Sequence, residues 1–431
     1  YSAVQDSSQI WALPASIPPG LISLQIQASN QSGLSYFGPV VTHFKNIQYR
    51  AVNAYGYTKT DIGPGRVPLT GSYDFNANNY QEYVAMDLPS TGYGRVRAYE
   101  PRSSGHLAVY DFNDNFQPLA LGTTDNESME LLCHKSDRVF LRKRTDTQIY
   151  PNTIAWQDSS VSGGTFGNFT SGNTGILLVK NLTTENVIQT YIRNNNGDIV
   201  PRNKLRNTTQ TSLRNTFAPT IVVDNLDRDA LPDILCADTD GDVLIYEVIN
   251  ANTEQLCWTH RMPVANTYQL SSGDYDGDGN REFIVGGNYT SILNPDMNFW
   301  YFESFRSTSN NQYESMGSIM FNNVQSQNAI HSIDLDEDGK DEVILALSPN
   351  LYIMKYAEGE WQPEFYGDSF QTFRIGTYTD NQNNLHFLTN YKASADTTRA
   401  AEWSRESVFT GPACPYLSSV EPNDEESVRI S

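Results

Sequence analysis

Positive charge is scarce in this sequence. Its 431 residues include 29 Lys and Arg against 50 Asp and Glu, which gives a formal net charge of -21 at pH 7. A protein that binds nucleic acid neutralises phosphates with clustered basic side chains, so this balance argues against nucleic acid as a partner. The same charge disfavours acidic ligands unless a bound cation bridges them, which leaves neutral glycans or basic protein surfaces as the expected partners.

Cysteine and long hydrophobic runs are also scarce. The four cysteines are too few for a disulfide scaffold and lack the C-x-x-C spacing of a zinc site; they are Cys133, Cys236, Cys257 and Cys414. No run of 18 apolar residues occurs, so the sequence predicts no membrane-spanning helix. The first residues lack the charged and apolar segments of a signal peptide. We expect that such a peptide has been removed, or that this is a piece of a longer multidomain chain.

Recognisable catalytic motifs are absent as well. The sequence contains no G-x-S-x-G, H-E-x-x-H, G-x-G-x-x-G or P-loop pattern. The six histidines are scattered beside apolar residues or turns, and we interpret His386 as a strand residue rather than a base; the six are His43, His106, His134, His260, His331 and His386. The sequence therefore predicts a protein without catalytic turnover of its own.

What the sequence does contain is an internal repeat. The segments NLDRDALPDILCAD, DYDGDGNREFIVGG and DLDEDGKDEVILAL share one pattern. Each has Asp or Asn at position 1, Asp at positions 3 and 5, a carboxylate at position 9 and then an apolar run. The residues at these positions are Asn225, Asp227, Asp229 and Asp233; Asp274, Asp276, Asp278 and Glu282; and Asp334, Asp336, Asp338 and Glu342. We call positions 1 to 9 the motif loop.

Weaker copies of the motif loop complete the series. One good copy has Asp74, Asn76, Asn78 and Glu82 in register, and three eroded copies begin at Thr123, Asn168 and Thr377. Seven copies therefore recur at intervals of 43 to 60 residues. Tryptophan recurs at a similar place in five of the units, where we expect it to pack within a β-sheet. The repeat indicates seven structural units built on one plan.

The sequence between the motif loops predicts short β-strands. Apolar alternation appears in segments such as Val243–Val248 and Leu351–Tyr356, and no stretch shows a sustained helical period. Units of about 50 residues with about four strands are typical of propeller blades. A solenoid of β-sheets is the alternative, but seven units without a distinct capping repeat favour a closed ring. We therefore predict an all-β, seven-bladed β-propeller of four-stranded antiparallel blades.

The predicted propeller covers residues 1–411. Within it, residues 1–50 lack the motif and are expected to supply a strand that completes the last blade beside Trp403. Residues 412–431 change in character, with the sequence PACPYLSSVEPNDEESVRIS. They are either a linker or acidic tail, or the opening strand of a following immunoglobulin-like or fibronectin-like domain.

The motif loops have the chemistry of a cation site. Side chains at alternate positions of a tight loop converge on one point, and carboxylates at positions 1, 3, 5 and 9 with a backbone carbonyl at position 7 supply five to seven oxygens. That number of flexible oxygen donors favours Ca²⁺ over Mg²⁺. The alternative is a set of polar turn residues, but three or four packed carboxylates repel one another without a cation. An EF-hand is rejected, because its Glu lies at position 12 and helices flank its loop.

This combination of motif and repeat length resembles the FG-GAP/VCBS repeats of calcium-binding seven-bladed β-propellers, the superfamily that includes the integrin α-subunit propeller. The resemblance covers residues 60 to 410. It implies Ca²⁺ at three motif loops, with Leu231, Asn280 and Lys340 as the carbonyl donors at position 7, and a possible fourth ion at the loop of Asp74. The literal Phe-Gly and Gly-Ala-Pro signatures are largely missing, which separates the chain from the integrins themselves.

The resemblance implies a scaffold, and its function is open. We expect a secreted, extracellular or cell-surface module that recognises a glycan or a protein without catalysis. Six N-glycosylation sequons suit this location; they begin at Asn30, Asn126, Asn168, Asn181, Asn207 and Asn288. The alternative is a Ca²⁺-dependent polysaccharide lyase on the same scaffold, whose Lys, Arg, Tyr or His base cannot be singled out from the sequence.

Overall fold

The computed structural model of the protein divides into two compact units. The small unit combines Tyr1–Gln48 with Thr410–Ser431, and the large unit is Tyr49–Phe409. The residues that the structure describes are 21–29, 35–44, 57–88, 94–125, 128–168, 174–182, 184–207, 215–250, 253–290, 298–322, 328–357, 359–367, 374–394, 397–405, 420–422 and 428–430.

The small unit contains two antiparallel strand pairs in its described part. Strand β1 (Leu21–Ser29) pairs with β2 (Ser35–Phe44), and β31 (Val420–Pro422) pairs with β32 (Val428–Ile430). The second pair falls in the segment 412–431, whose identity as a linker or as the start of a further domain stays a prediction.

The large unit is a β-propeller of seven four-stranded antiparallel blades, as the repeats predict. Blade 1 contains β4 (Arg66–Pro68), β5 (Tyr83–Asp87), β6 (Val96–Arg102) and β7 (Gly105–Asp111). Blade 2 contains β8 (Gln117–Gly122), β9 (Glu130–Lys135), β10 (Arg138–Thr145) and β11 (Gln148–Ser159). Blade 3 contains β12 (Val161–Asn168), β13 (Thr174–Asn181), β14 (Asn186–Arg193) and β15 (Ile199–Arg206).

The next three blades follow the same order along the chain. Blade 4 contains β16 (Val222–Asp224), β17 (Asp233–Ala237), β18 (Asp242–Asn250) and β19 (Thr253–Arg261). Blade 5 contains β20 (Ala265–Gly273), β21 (Glu282–Thr290), β22 (Asn298–Ser309) and β23 (Gln312–Asn322). Blade 6 contains β24 (Asn328–Ile333), β25 (Glu342–Leu347), β26 (Asn350–Ala357) and β27 (Glu360–Gly367).

Blade 7 combines the two ends of the large unit. Its strands β28 (Gly376–Thr379), β29 (Leu385–Ser394) and β30 (Thr397–Arg405) take β3 (Tyr57–Pro64) as their fourth strand. Lys59 of β3 lies opposite Trp403 of β30, so a closing strand lies beside Trp403 as expected. That strand follows the segment 1–50 in which we had placed it, and it directly precedes the first strand of blade 1.

The core lies between neighbouring blades. The second strand of a blade is covered on both faces, and this explains why β17 and β25 are apolar almost throughout and buried at every residue. Residues of adjacent blades then pack together, such as Leu235 of blade 4 with Phe283 and Phe305 of blade 5. Burial on both faces accounts for the continuous apolar runs that follow the motif loops in the sequence.

Three further features concern the cysteines, the tryptophans and membrane-spanning helices. Cys133, Cys236 and Cys257 are free thiols. Trp300 and Trp403 are buried within the blades, as the recurrence of tryptophan predicts. In the described part of the chain, no helix has the length and apolarity needed to cross a membrane.

Candidate functional site

The four better motif loops occupy the same place in their blades. Each joins the first strand to the second: residues 74–82 in blade 1, 225–233 in blade 4, 274–282 in blade 5 and 334–342 in blade 6. In blade 1 the loop is closed by a bridge between Tyr73 and Glu82. The propeller therefore presents each predicted loop at an equivalent position.

The four loops share one backbone conformation. Positions 4 and 6 have a positive φ in every loop; the residues are Ala77 (58°), Asn79 (68°), Arg228 (72°), Ala230 (70°), Gly277 (79°), Gly279 (83°), Glu337 (58°) and Gly339 (85°). Left-handed backbone suits glycine and costs other residues about 1 kcal/mol each. Only blade 5 has glycine at both positions, so glycine alone does not impose the conformation.

Hydrogen bonds to acidic side chains hold the loops in this conformation. The carboxylate at position 9 accepts the N–H of position 2 in all four loops, at 2.7–2.8 Å. The carboxylate at position 1 of blades 1, 5 and 6 accepts the N–H groups of positions 5 and 6 at 2.9–3.2 Å. The second oxygen of the position 9 carboxylate differs in its surroundings from blade to blade.

The blade 4 loop brings together carboxylates of the loop itself and of the two strands that follow it, β17 and β18. Oxygens of Asp227, Asp229 and Glu247 lie within 4.8 Å of one another. Asp233 is fully buried beside them, and its Oδ1 has no hydrogen-bond partner, whereas its Oδ2 accepts the Leu226 N–H at 2.8 Å. These four carboxylates form an all-oxygen donor set that fits Ca²⁺.

Glu247 was missed by the sequence analysis. It lies on β18, directly across from Asp233 on β17. Asn225, which we predicted at position 1, instead accepts the Arg228 N–H at 2.9 Å. The predicted carbonyl donor, Leu231, donates its N–H to Asp229 at 2.7 Å, and the role of its carbonyl stays a prediction.

Burial disfavours the charged forms of the carboxyl groups in the blade 4 cluster. Desolvation raises the pKa of Asp233 to about 8, with the charges of Asp227, Asp229 and Glu247 adding to the rise against the Leu226 hydrogen bond. Desolvation also raises the pKa of Asp227. Besides the backbone N–H groups of the loop itself, the β22–β23 turn of blade 5 supplies donors to this cluster, and the Asn311 N–H lies 2.7 Å from Asp227 Oδ2. The cluster is thus short of positive charge.

The blade 5 loop brings together three of its predicted ligands. Oxygens of Asp274, Asp276 and Glu282 lie within 4.8 Å of one another. Desolvation raises the pKa of Glu282 to about 7, and the three aspartates of the loop add to the rise. Asp278 instead forms an ion pair with Arg228 of blade 4 at 2.7 Å and accepts the Asn280 N–H at 2.9 Å. The donor set again fits a hard cation, with three carboxylates rather than four.

The blade 6 loop gathers Asp334, Asp336 and Glu342, whose oxygens also lie within 4.8 Å of one another. Here the ammonium of Lys355, on β26, lies among the carboxylates. Its Nζ is 2.8 Å from Asp336 Oδ2, 2.7 Å from Asp338 Oδ2 and 3.0 Å from Glu342 Oε1. Burial would lower the pKa of Lys355, but its contacts with these three carboxylates outweigh it and raise the pKa. The Lys340 N–H donates to Asp338 at 3.0 Å.

The blade 1 loop replaces two carboxylates with amides. Asn76 Nδ2 donates to Glu82 Oε1, and Asn78 Nδ2 donates to Glu100 Oε2 at 2.7 Å. Arg102 forms an ion pair with Glu100. The loop therefore supplies donors of its own to the carboxylates that surround it.

An eroded copy in blade 2 keeps the position 9 carboxylate in a register that we did not predict. Counting from Thr123 places Leu131 at position 9, but Glu130 accepts the Thr124 N–H at 2.8 Å in the structure. Arg193 of blade 3 then pairs with Glu130 Oε1 at 2.9 Å. The loop is one residue shorter than the motif, so the alignment placed Leu131 instead of Glu130 at position 9.

A further acidic cluster lies outside the motif loops, in the β17–β18 turn of blade 4. Asp238, Asp240 and Asp242 approach within 4.8 Å. Buried Asp238 accepts three backbone N–H groups through Oδ1 and the Asn215 amide through Oδ2 at 2.8 Å. Arg261 pairs with Asp242 at 2.8 Å. Protein donors account for this cluster.

Two of the scattered histidines meet where blade 1 packs against blade 7. His106 of β7 and His386 of β29 contact opposite oxygens of Glu402 on β30, at 2.5 Å and 2.9 Å. Asp380 Oδ2 lies 3.3 Å from the second nitrogen of His386, and Tyr83 bonds His106 at 2.8 Å. His106 and Glu402 are 296 positions apart in the sequence, which is why their spacing gave no sign of this site.

An open cleft of about 450 Å³ lies over these residues. We call it the seam cleft; it is lined by Tyr80, Gln81, Pro101, Arg102, Ser103, Tyr378, Thr379, Asp380, Asn381, Gln382, His386 and Glu402. Its volume is in the range of small-molecule sites, which run from about 300 to 1,000 Å³. Our interpretation of His386 as only a strand residue is therefore incomplete, because its ring also reaches this cleft.

The charges of the seam cleft compensate one another. Burial alone would raise the pKa of Glu402, but hydrogen bonds from His106 and His386 outweigh it and lower the pKa to about 2. Burial would lower the pKa of His386, but Glu402 and Asp380 outweigh it and raise the pKa. At neutral pH the cleft thus contains an ionised Glu402 that favours the protonated form of His386, with Arg102 paired to Glu100 at its rim.

Comparisons with known proteins support the fold. No protein-family model matches the chain, and no curated protein matches it. Among solved structures, it is similar to BBS1N, crystallised in complex with ARL6DN and soaked with lead, at 9% identity and a TM-score of 0.52, over 81% of this chain and 97% of that one. A protein from Lactobacillus plantarum matches at 13% identity and a TM-score of 0.44, over 80% of this chain and 93% of that one. The likeness to BBS1N agrees with the propeller architecture.

Proposed function

We propose that this chain is a calcium-stabilised propeller module that recognises a neutral glycan and lacks catalytic turnover of its own. The observation that carries the proposal is the seam cleft. It offers amide, hydroxyl and aromatic groups, while its charged side chains are already paired within the protein. Such a surface suits a ligand rich in hydroxyl groups and without net charge, since an ionic ligand would have to compete with the internal ion pairs.

The binding test changes side chains that line the cleft and are exposed to solvent. Asn381 and Gln382 are exposed at its rim, so Asn381→Ala combined with Gln382→Ala should weaken glycan binding at least tenfold without lowering thermal stability. The matched control is Asn195→Ala with Asn196→Ala, in the exposed β14–β15 turn of blade 3. The measurement is calorimetric titration with neutral oligosaccharides selected on a glycan array.

The outcomes separate a glycan from a protein ligand. Equal glycan affinity in the cleft variant and the control variant would place binding elsewhere and refute the assignment of the cleft. BBS1N has been crystallised with ARL6DN, so a protein surface is the alternative ligand for a propeller of this kind. Absence of any glycan hit, together with a protein partner whose affinity falls in the cleft variant, would replace glycan with protein in the proposal.

Calcium is proposed in the blade 4 and blade 5 loops. The support is their all-oxygen donor sets, the two buried position 9 carboxylates with raised pKa values, and the unpartnered Oδ1 of Asp233. Binding to the folded state alone contributes about 2.7 kcal/mol per site at a free concentration a hundredfold above Kd. A melting temperature unchanged by EDTA, with no calcium detected by elemental analysis, would contradict this part.

An extracellular location is proposed on the sequons and on the calcium sites, because extracellular modules bind Ca²⁺ with Kd values of about 10⁻⁴ to 10⁻³ M. Asn168 is exposed, whereas Asn207 is buried and donates to Asp238. Mass spectrometry of the natively produced protein should find a glycan at Asn168 and none at Asn207. An unglycosylated Asn168 would count against secretion through a glycosylating pathway.

A Ca²⁺-dependent polysaccharide lyase is the second candidate. His386 opens into the cleft with its ring oriented by Glu402, which is an arrangement that suits a general base. Glu402 and Asp380, however, raise its pKa against the effect of burial and so favour the protonated ring, which donates a hydrogen bond but cannot take a proton. The test is incubation with pectin fragments; unsaturated uronides that disappear on chelation and in His386→Gln would replace recognition with lyase activity.

A further inference from the structure

The residue that faces each motif loop from the third strand of the blade differs in charge. In blade 4, Asp233 at position 9 pairs across the sheet with Glu247. In the other blades we extend the antiparallel register by one residue beyond the terminal pairs Tyr83–Tyr99, Phe283–Phe305 and Val343–Met354. The facing residues of blades 1, 4, 5 and 6 are therefore Glu100, Glu247, Arg306 and Lys355.

In blade 6 the facing residue supplies a cation. Lys355 Nζ lies within 3.0 Å of oxygens from Asp336, Asp338 and Glu342, which are three of the four carboxylates that we predicted as calcium ligands. Its side chain is only 20% exposed, so the ammonium is largely enclosed by the loop. An ammonium at the point where these oxygens converge excludes a divalent ion from the same oxygens, because the two cations would repel one another.

In blade 4 the facing residue has the opposite charge. Glu247 adds a fourth carboxylate to Asp227, Asp229 and Asp233. Amide groups of Asn310 and Asn311 bond some of these oxygens, but amides carry no net charge. The fully buried Asp233 keeps one oxygen without a hydrogen-bond partner, and such an oxygen is costly unless a ligand satisfies it.

We propose that the facing residue of the third strand decides which loop takes a divalent cation: Lys355 is the resident cation of the blade 6 loop, and Glu247 makes the blade 4 loop a metal site. This replaces our prediction of calcium at Asp334, Asp336, Asp338 and Glu342. The blade 4 half rests on the proposed function, whereas the blade 6 half stands without it.

The other two facing residues are consistent with this rule without extending it. Arg306 of blade 5 pairs with Glu314 at 2.6 Å and is about half exposed, so it does not fill the loop as Lys355 does. Glu100 of blade 1 is paired with Arg102 and accepts the Asn78 amide. Charge at the facing position therefore acts on the loop only where the side chain reaches the carboxylates.

The test counts bound ions in matched variants. Lys355→Met removes the ammonium at similar length, and the protein should bind one more Ca²⁺ per chain than the wild type in equilibrium dialysis with elemental analysis. Its melting temperature should fall in EDTA and recover in calcium. Glu247→Gln should bind one ion fewer than the wild type. The control is Lys392→Met, an exposed lysine on β29 outside the motif loops, which should leave the ion count unchanged.

Each outcome bears on one half of the inference. An unchanged ion count in Lys355→Met would overturn the blade 6 half, even if the wild type binds calcium. A wild type without calcium, beside a Lys355→Met protein that binds one ion, would support the blade 6 half while refuting the proposed function. An unchanged count in Glu247→Gln would overturn the blade 4 half.

A second measurement on the wild type covers the case in which Lys355→Met does not fold. Crystals soaked with a lanthanide should show an anomalous peak among Asp227, Asp229, Asp233 and Glu247, and none among Asp336, Asp338 and Glu342. A peak in the blade 6 loop with the Lys355 ammonium displaced would overturn the inference.

Discussion

Replacing the buried Asp233 with Asn should change stability in opposite senses with and without calcium. Asn is close to Asp in shape and keeps the oxygen that accepts the Leu226 N–H at 2.8 Å. It removes the ionisable group whose Oδ1 has no hydrogen-bond partner and whose charged form is disfavoured by burial and by Asp227, Asp229 and Glu247. Without metal the variant no longer bears the cost of keeping this carboxyl protonated, whereas with metal it has lost a proposed ligand.

The magnitude follows from the titration of Asp233. Its folded pKa of about 8 lies above the unfolded value of 3.8, so its contribution to stability is fully present below pH 3.8 and is lost as pH rises through 8. Between pH 4 and pH 7 this loss spans about three pH units at about 1.36 kcal/mol each, or about 4 kcal/mol. In chelator at pH 7, Asp233→Asn should therefore be more stable than the wild type by up to about 4 kcal/mol, and by little at pH 4.

Calcium should stabilise the wild type more than it stabilises the Asp233→Asn variant. At a free concentration a hundredfold above Kd, one site contributes about 2.7 kcal/mol. The increment from chelator to calcium should fall by about this amount in Asp233→Asn. The assay is urea unfolding followed by tryptophan fluorescence at both pH values, with the exposed Asp198→Asn of the β14–β15 turn as control. A variant that is less stable than the wild type in chelator at pH 7, with an undiminished calcium increment, would refute the reasoning.

Three further predictions concern other residues of the propeller. The lowered pKa of Glu402, about 2, gives stability that is present above pH 4.5 and lost as pH falls toward 2; acid titration followed by circular dichroism should show this loss, and Glu402→Gln should remove it. Arg193→Met should destabilise the protein by about 3–5 kcal/mol in urea unfolding, because it leaves the buried Glu130 without its cation; adding Glu130→Gln should restore most of the loss, and a double variant as unstable as the single one would contradict the pairing. Ala230→Gly should raise stability by about 1 kcal/mol in the same assay, because Ala230 has a φ of 70°, and a decrease would show that the loop tolerates alanine without strain.

The fold was predictable because its signals are local. A motif loop followed at once by an apolar strand predicts both the turn and the buried second strand within a few residues. The run from Asp274 to Val285 is an example. Repetition of that local signal gave the number of blades. Propeller blades contact mainly their neighbours in sequence, so few distant contacts had to be guessed.

The parts of the sites that escaped prediction depend on sheet register and ring closure. Glu247 and Lys355 hold equivalent positions, but one follows its position 9 residue by 14 positions and the other by 13, while Arg306 of blade 5 follows by 24, because the connecting turns differ in length. No fixed spacing marks them. The contact of His106 with Glu402 requires the first and last blades to meet, which the sequence of either blade alone does not state.

The closure of blade 7 also sets how the ring responds to mechanical force. Tyr57 at the start of β3 pairs with Arg405 at the end of β30, so the chain enters and leaves the ring side by side. Tension between these two points loads the β3–β30 ladder from one end and unzips it pair by pair, instead of shearing all its hydrogen bonds together. Glu402, which holds both histidines of the seam cleft, lies opposite Thr60 in that same ladder. A pull on the two ends therefore reaches Glu402 at the fourth pair of the ladder, so tension along the chain would disturb the seam cleft before most of blade 7 separates.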